Sequence, residues 1–111
     1  QIVASTLIGD VNNKLAYNQL VNSMELLHKE SYLKTIETSM RTEHRHIFKT
    51  IDVPTFIMVG ELDTLTPPSM SNEIMKEIKN SRLSIIPNAG HLSNIENPTV
   101  FNQKLLEFLD S

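Results

Sequence analysis

The 111-residue sequence predicts an α/β chain of three parallel strands with flanking helices, and three observations carry that prediction. Three short apolar runs, at residues 2–8, 53–59 and 83–86, have the length and β-branched content of strands. Between and after them, apolar residues recur every three or four positions, the period of an amphipathic helix. Gly9, Gly60 and Gly90 each stand at or within a few residues of the end of a run, where a strand would pass into a loop. Strand, helices, strand, helix, strand, helix is the order of βαβ units, which right-handed crossovers gather into one parallel sheet.

Taken in order, Ile2-Val3-Ala4-Ser5-Thr6-Leu7-Ile8 predicts a first strand ending at Gly9-Asp10. Leu20, Met24 and Leu27 then mark one face of a helix, and Leu33, Ile36, Met40 and Ile47 continue the period with His44 on the same face. The second run, Val53-Pro54-Thr55-Phe56-Ile57-Met58-Val59-Gly60, is nearly continuous in apolar character, as suits a strand covered on both faces. Pro54 is tolerable there because a strand's first residue needs no ladder donor. Met70, Ile74 and Ile78, with Met75 alongside, predict a crossover helix, and Asn80 suits its end. Leu83-Ser84-Ile85-Ile86 is the third strand, stopped by Pro87. Asn97-Pro98 supplies a capping side chain and a first-turn proline for a last helix that buries Phe101, Leu105, Phe108 and Leu109.

Composition narrows the function. With 10 Lys+Arg against 13 Asp+Glu the net charge is −3, so there is no cationic surplus to neutralise phosphates and nucleic acid is not an expected partner. No apolar run approaches the roughly 20 residues of a membrane-spanning helix, so no membrane partner is expected either. Cys is absent, which excludes disulfides, thiolate nucleophiles and Cys-ligated metals from this chain and is compatible with a cytoplasmic location. No Gly-rich turn joins a strand to a helix, so a nucleotide-binding α/β domain is disfavoured and no cofactor is expected. His44-Arg45-His46 places its imidazoles on different sides of a helix, with no Cys or carboxylate nearby to complete a metal set; a solvated or lid-facing helix is the expectation. Met70 and Met75 sit at helical core spacing, whereas Met24 and Met40 could either pack a core or line an acyl pocket. The chain opens on Gln1 with no signal-peptide pattern behind it, so it is expected to begin partway through a longer protein.

In open parallel sheets, ligands bind beyond the carboxyl ends of the strands. At those places stand Gly60-Glu61-Leu62-Asp63-Thr64-Leu65-Thr66-Pro67-Pro68 and Pro87-Asn88-Ala89-Gly90-His91-Leu92-Ser93. A carboxylate that accepts a hydrogen bond from one imidazole nitrogen fixes the tautomer, and the other nitrogen can then remove a proton from a hydroxyl. Asp63 and His91 are the candidate pair, with Gly90 expected to let the backbone turn sharply before His91. Against these readings, His91 could be structural and Asp63 only a turn residue or a cap for the helix near Thr66-Pro67-Pro68. Glu61 reads as a solvated loop carboxylate.

These segments, continued through Asn94-Ile95-Glu96-Asn97-Pro98, resemble the C-terminal part of α/β-hydrolase-fold enzymes, in the manner of small esterases, lactonases and related C–C hydrolases. In that family a V-P-T strand, a G-x-x-D loop, a proline pair before a helix, and a G-H followed by an E-x-P helix recur in this order. The resemblance is dense over residues 51–111 and weaker at Val3-Ala4-Ser5-Thr6, which looks like the family's sixth strand. It implies a sixth-strand-like segment at residues 1–6, a lid or cap at 7–50 and a core segment at 51–111. It also implies that Asp63 is the triad acid and His91 the triad base. Asp10 is a rival acid, because some members place the acid after the sixth strand; otherwise Asp10 caps the following helix. The family's nucleophile lies upstream on a G-x-S-x-G elbow, and no Ser here has Gly two residues away on both sides. The nucleophile, whether Ser, Cys or Asp, is therefore expected before residue 1, and these residues alone are expected to be inactive. The implied substrate is a small molecule with an ester, lactone, thioester or similar carbonyl, chosen by the lid. A non-catalytic binding protein of the same fold is the alternative. An unpaired strand at residues 2–6 would invite self-association through its edge.

Overall fold

The computed structural model describes residues 2–41 and 43–111, the side chains of Ile2 and Met40 excepted. Two strands form the sheet. β1 (Thr55–Gly60) and β2 (Ser81–Ile86) run parallel, in register from Thr55 opposite Ser81 to Gly60 opposite Ile86. The crossover helix α4 (Pro68–Glu77) begins where Pro68 occupies the first position, whose amide would be unpaired in any case. It stops before Asn80, because Ile78 is extended and buried and the Asn80 carbonyl instead accepts the Thr55 amide at 2.8 Å. Ser81 donates its hydroxyl to the carbonyls of Met75 and Ile78, closing the end of α4 and starting β2 two residues before its apolar run.

The C-terminal helix α6 (Pro98–Leu109) is capped as expected. Asn97 accepts the Val100 amide at 3.4 Å and donates through Nδ2 to the Pro87 carbonyl at 2.9 Å, so one side chain both starts the helix and ties it to the end of β2. Phe108 stacks on Phe56 of β1 with centroids 5.0 Å apart. Of the four residues expected in the core, Phe101, Leu105 and Phe108 are half-buried and Leu109 is exposed.

The first segment overturns an expectation. Residues Ile2–Leu7 form a helix, α1, so the described residues hold two parallel strands and not three. A short apolar run suits a strand or a buried helical turn equally, and periodicity over seven residues does not separate them. What decides is packing: Ala4 and Ile8, four apart, are buried against Ala16 and Leu20 of α2 (Lys14–Glu25). The strand edge at residues 2–6 therefore does not form, and the self-association expected through it loses its basis.

Beyond α2, α3 (Lys29–Arg41) is followed by a separate 3-10 turn at Arg45–Thr50, which breaks the single face expected through Ile47. Leu27, Leu33 and Ile47 are exposed, whereas Leu20 is buried and Met24 half-buried. His44 immediately precedes the 3-10 turn, and both it and His46 are exposed. The core-or-pocket expectation for Met40 lies outside the described residues. β1 is less covered than expected: Phe56, Ile57 and Met58 are half-buried, and only Val59 and Gly60 are fully enclosed. The apolar interior thus has two parts, one between the sheet and its helices α4 and α6, the other between α1 and α2. Leu92 and Ile95, from the loop after β2 and the short helix α5 (Ser93–Glu96), pack into the second part. Among the described residues no helix is long and apolar enough to cross a membrane.

Candidate active site

The loops leaving β1 and β2 are laced together by backbone bonds before any side chain is counted. The amide of Glu61 donates to the Ile86 carbonyl at 2.9 Å, and that of Leu62 to the Ala89 carbonyl at 2.8 Å. Asn88 turns the second loop in the left-handed region, with φ 54°, and its amide donates to the Glu61 carboxylate at 3.1 Å. Glu61 is exposed, as expected for a loop carboxylate, but it fastens this turn rather than standing free.

The sharp turn expected of Gly90 is made by Asn88; Gly90 itself has no positive φ. Gly90 serves close approach. A Cβ on Gly60 would fall against the carbonyls of Ala89 and Gly90, and a Cβ on Gly9 would lie 2.6 Å from the Gly90 nitrogen. All three glycines of the chain therefore meet at one place, where residue 9 and the two strand-end loops touch backbone to backbone.

Above this junction the structure brings together the two residues singled out from the sequence. His91 Nδ1 lies 3.0 Å from Asp63 Oδ2. The same oxygen accepts the Thr66 hydroxyl at 2.9 Å, and Oδ1 accepts the amides of Leu65 and Thr66, each at 2.9 Å. Asp63 is thus a turn residue through one oxygen and the partner of His91 through the other. It does not cap α4, whose cap position is Pro67. Its side chain is 4 % exposed, while that of His91 is 33 % exposed, so the acid is sealed and the imidazole reaches solvent. Burial pushes the Asp63 carboxyl up, but the Thr66 amide, the His91 ring, the Thr66 hydroxyl and the imidazole's charge together outweigh it and hold the group below its ordinary value. Asp63 therefore stays ionised near neutral pH and accepts the Nδ1 proton; in the neutral imidazole this assigns the lone pair to Nε2.

Asp10, the rival acid, spends Oδ1 on the amide and side chain of Asn12, at 2.9 and 3.2 Å. Nor does it cap α2, a task done by Asn13, which accepts the Ala16 amide at 3.1 Å. Two residues at the site carry geometry that the sequence reading gave no role. Thr66 touches both partners, its hydroxyl standing 3.1 Å from His91 Nδ1; its signal was a hydroxyl three residues after the acid, within hydrogen-bonding reach of a turn. Glu96 is buried and accepts the amides of Gly9 and Gly90, each at 2.8 Å. It stood in the Glu96-Asn97-Pro98 motif without a stated function. Among the described residues no group of three or more His, Asp or Glu is placed to hold a metal ion.

An acid and a histidine converging at the carboxyl end of a parallel sheet define a class, and comparison with known proteins gives the same class. The profile of the alpha/beta hydrolase fold family matches residues 6–98, and the chain belongs to that family. It is 27 % identical over 77 residues, 69 % of this chain, to the pimeloyl-[acyl-carrier protein] methyl ester esterase of Neisseria meningitidis, and the match spans 30 % of that enzyme. The solved esterase of Exiguobacterium antarcticum superposes on 98 % of this chain and 41 % of its own, with a TM-score of 0.85 at 19 % identity, a likeness of fold. A bromoperoxidase from Bacillus anthracis covers 63 % of this chain and 26 % of its own, with a TM-score of 0.60 and 28 % identity. The chain thus spans about a third of the curated esterase it resembles, and its relatives include hydrolases.

Proposed function

We propose that this chain supplies the acid and the general base of an enzyme that hydrolyses a small carbonyl ester, lactone or thioester. The observation that carries the reading is the 3.0 Å contact between His91 Nδ1 and a sealed, ionised Asp63, with the imidazole itself one-third exposed. In the proposed cycle His91 Nε2 takes the proton of a hydroxyl or thiol nucleophile as it attacks the carbonyl carbon. His91 returns that proton to the departing alcohol or thiol, and an acyl-enzyme forms. Water then attacks the acyl group, His91 takes its proton, and the acid product leaves as the nucleophile is restored. Asp63 holds the imidazole in the needed tautomer and stabilises its cation in both steps.

No Ser in these residues lies on a G-x-S-x-G elbow, so the nucleophile is proposed to come from sequence outside them. The helices of residues 7–50 fit the role of lid, with Leu15, Leu26 and Leu33 exposed on α2, after it and on α3. The name of the Neisseria relative supports an ester substrate.

The test is turnover of p-nitrophenyl acyl esters and lactones by the full-length gene product. Substituting His91→Ala is expected to lower kcat/KM by at least about a thousandfold. Unchanged turnover in that variant refutes the base assignment, and halogenation without ester turnover would move the protein toward its peroxidase relatives. Residues 1–111 alone are expected to show no turnover; activity there that His91→Ala abolishes would place the nucleophile within them.

A further inference from the structure

We infer that Glu96 is a positioning residue for His91, fixing where the loop that bears the imidazole stands relative to the segment after α1. The inference rests on the reading of His91 as general base.

Glu96 is a buried carboxylate with no cationic partner among the described residues; its oxygens are spent on backbone amides from two distant parts of the chain. Oε1 accepts the Gly90 amide at 2.8 Å, and Oε2 accepts the Gly9 amide at 2.8 Å, with the Asp10 amide farther off at 3.4 Å. The next amide along, that of His91, donates to the Leu7 carbonyl at 2.9 Å. Consecutive amides of the histidine loop are therefore both tied to residues 7–10, one directly and one through Glu96. The Glu96 carbonyl adds a third tie, accepting Asn13 Nδ2 at 3.3 Å beside the start of α2.

The chemistry calls for a carboxylate. Two N–H groups converge on two oxygens of one side chain, and only an ionised carboxyl offers an acceptor to each; a carboxamide would set its own N–H₂ against one of them. Gly9 and Gly90 approach too closely for a Cβ on either, so the two segments meet directly and Glu96 bridges them from below. His91 is thus held from two sides. Asp63 sets the orientation of its ring, and Glu96 sets the position of the backbone from which the ring projects. Both are needed for Nε2 to come within hydrogen-bonding reach of a nucleophile carried elsewhere.

The test uses the full-length gene product, p-nitrophenyl butyrate as substrate and the downfield proton resonance of the His91–Asp63 hydrogen bond. Glu96→Gln is expected to lower kcat roughly 10- to 100-fold with KM within about twofold, and to shift or broaden that resonance. A folded Glu96→Gln protein with kcat within about threefold of wild type and an unmoved resonance overturns the inference, while His91→Ala, inactive in the same assay, leaves the base assignment intact. If His91→Ala is instead fully active, the base assignment falls and this inference with it. Should Glu96→Gln not fold, Gly9→Ala keeps the carboxylate but wedges the two segments apart, and the same loss of kcat at steady KM is expected; undiminished kcat there overturns the inference. In the wild-type protein the Gly9 and Gly90 amides are expected to exchange slowly with solvent, and rapid exchange of either has the same adverse force.

Discussion

Replacing Asp63 with Asn preserves the size of the side chain and inverts half of its chemistry. The carboxamide oxygen can take the place of Oδ1 and keep the amides of Leu65 and Thr66, both 2.9 Å away in the native protein. Its N–H₂ then occupies the place of Oδ2, facing His91 Nδ1 and the Thr66 hydroxyl. Nδ1 must accept rather than donate, the ring's proton moves to Nε2, and Nε2 can no longer act as a base. In serine proteases the corresponding loss is about 10⁴ in kcat, so an expectation of 10³- to 10⁴-fold, roughly 4–5.5 kcal/mol of barrier, is reasonable here. The cost to folding should be far smaller. The two amide bonds survive, and the charge-assisted contact to a His91 ring one-third exposed is discounted by solvent, leaving about 1–3 kcal/mol. The assay pairs kcat/KM for ester hydrolysis by the full-length protein with urea denaturation of the same samples. A folded Asp63→Asn enzyme within about threefold of wild-type turnover, beside an inactive His91→Ala control, would show that some other acid orients the imidazole.

Two further outcomes follow from the same atoms. Because the folded state holds the Asp63 carboxyl below its ordinary value, its contribution to stability is complete above the unfolded-state value and fades as pH falls through the folded-state one. The gap in melting temperature between wild type and Asp63→Asn should therefore be widest near neutral pH and close on acidification; a gap independent of pH contradicts the sign. Gly60→Ala should cost at least about 1–3 kcal/mol in urea denaturation, since its Cβ would meet the backbone carbonyls of Ala89 and Gly90, which cannot rotate away as a side chain would. A neutral effect would mean that the strand-end loops are looser than their hydrogen bonds indicate.

How much of the fold could be read from the sequence depends on where its local signals agreed with its packing. β1, α4, β2 and α6 were legible because each has its own punctuation: Pro54 before a β-branched run, Pro67-Pro68 at a helix start, Pro87 after a strand, Asn97-Pro98 at a cap. Residues 2–8 had only Gly9-Asp10 at their end, a mark that closes a helix as readily as a strand. Their β-branched residues favour a strand, and only burial of Ala4 and Ile8 against α2 makes them helical, a tertiary contact that no local pattern encodes. The face running through Ile47 failed for a related reason. Its spacing is helical on paper, but the chain changes to a 3-10 turn after His44, so residues on either side of that change do not share a face.

The site shows the same division at closer range. The meeting of Asp63 and His91 was legible because both stand in loops at strand ends, and side chains are what a sequence spells out. The parts that hold them were not, because they are mostly backbone. Gly9, Gly60 and Gly90 each look like an ordinary loop glycine, and nothing in one line of sequence says that residue 9 lies against residue 90. Once that contact is known, Glu96 follows: two amides that meet at a junction too tight for a Cβ need an acceptor, and a carboxylate six residues after Gly90 can serve both. A buried acid without a counter-charge, puzzling as an isolated letter, is then explained by two peptide groups. By the same reasoning, the position of His91 depends on the packing of α1 and α2 as well as on the sheet, since Leu7 and Gly9 hold the loop on that side. Under the proposed function, substitutions in α1 and α2 that loosen this contact should accordingly alter kcat.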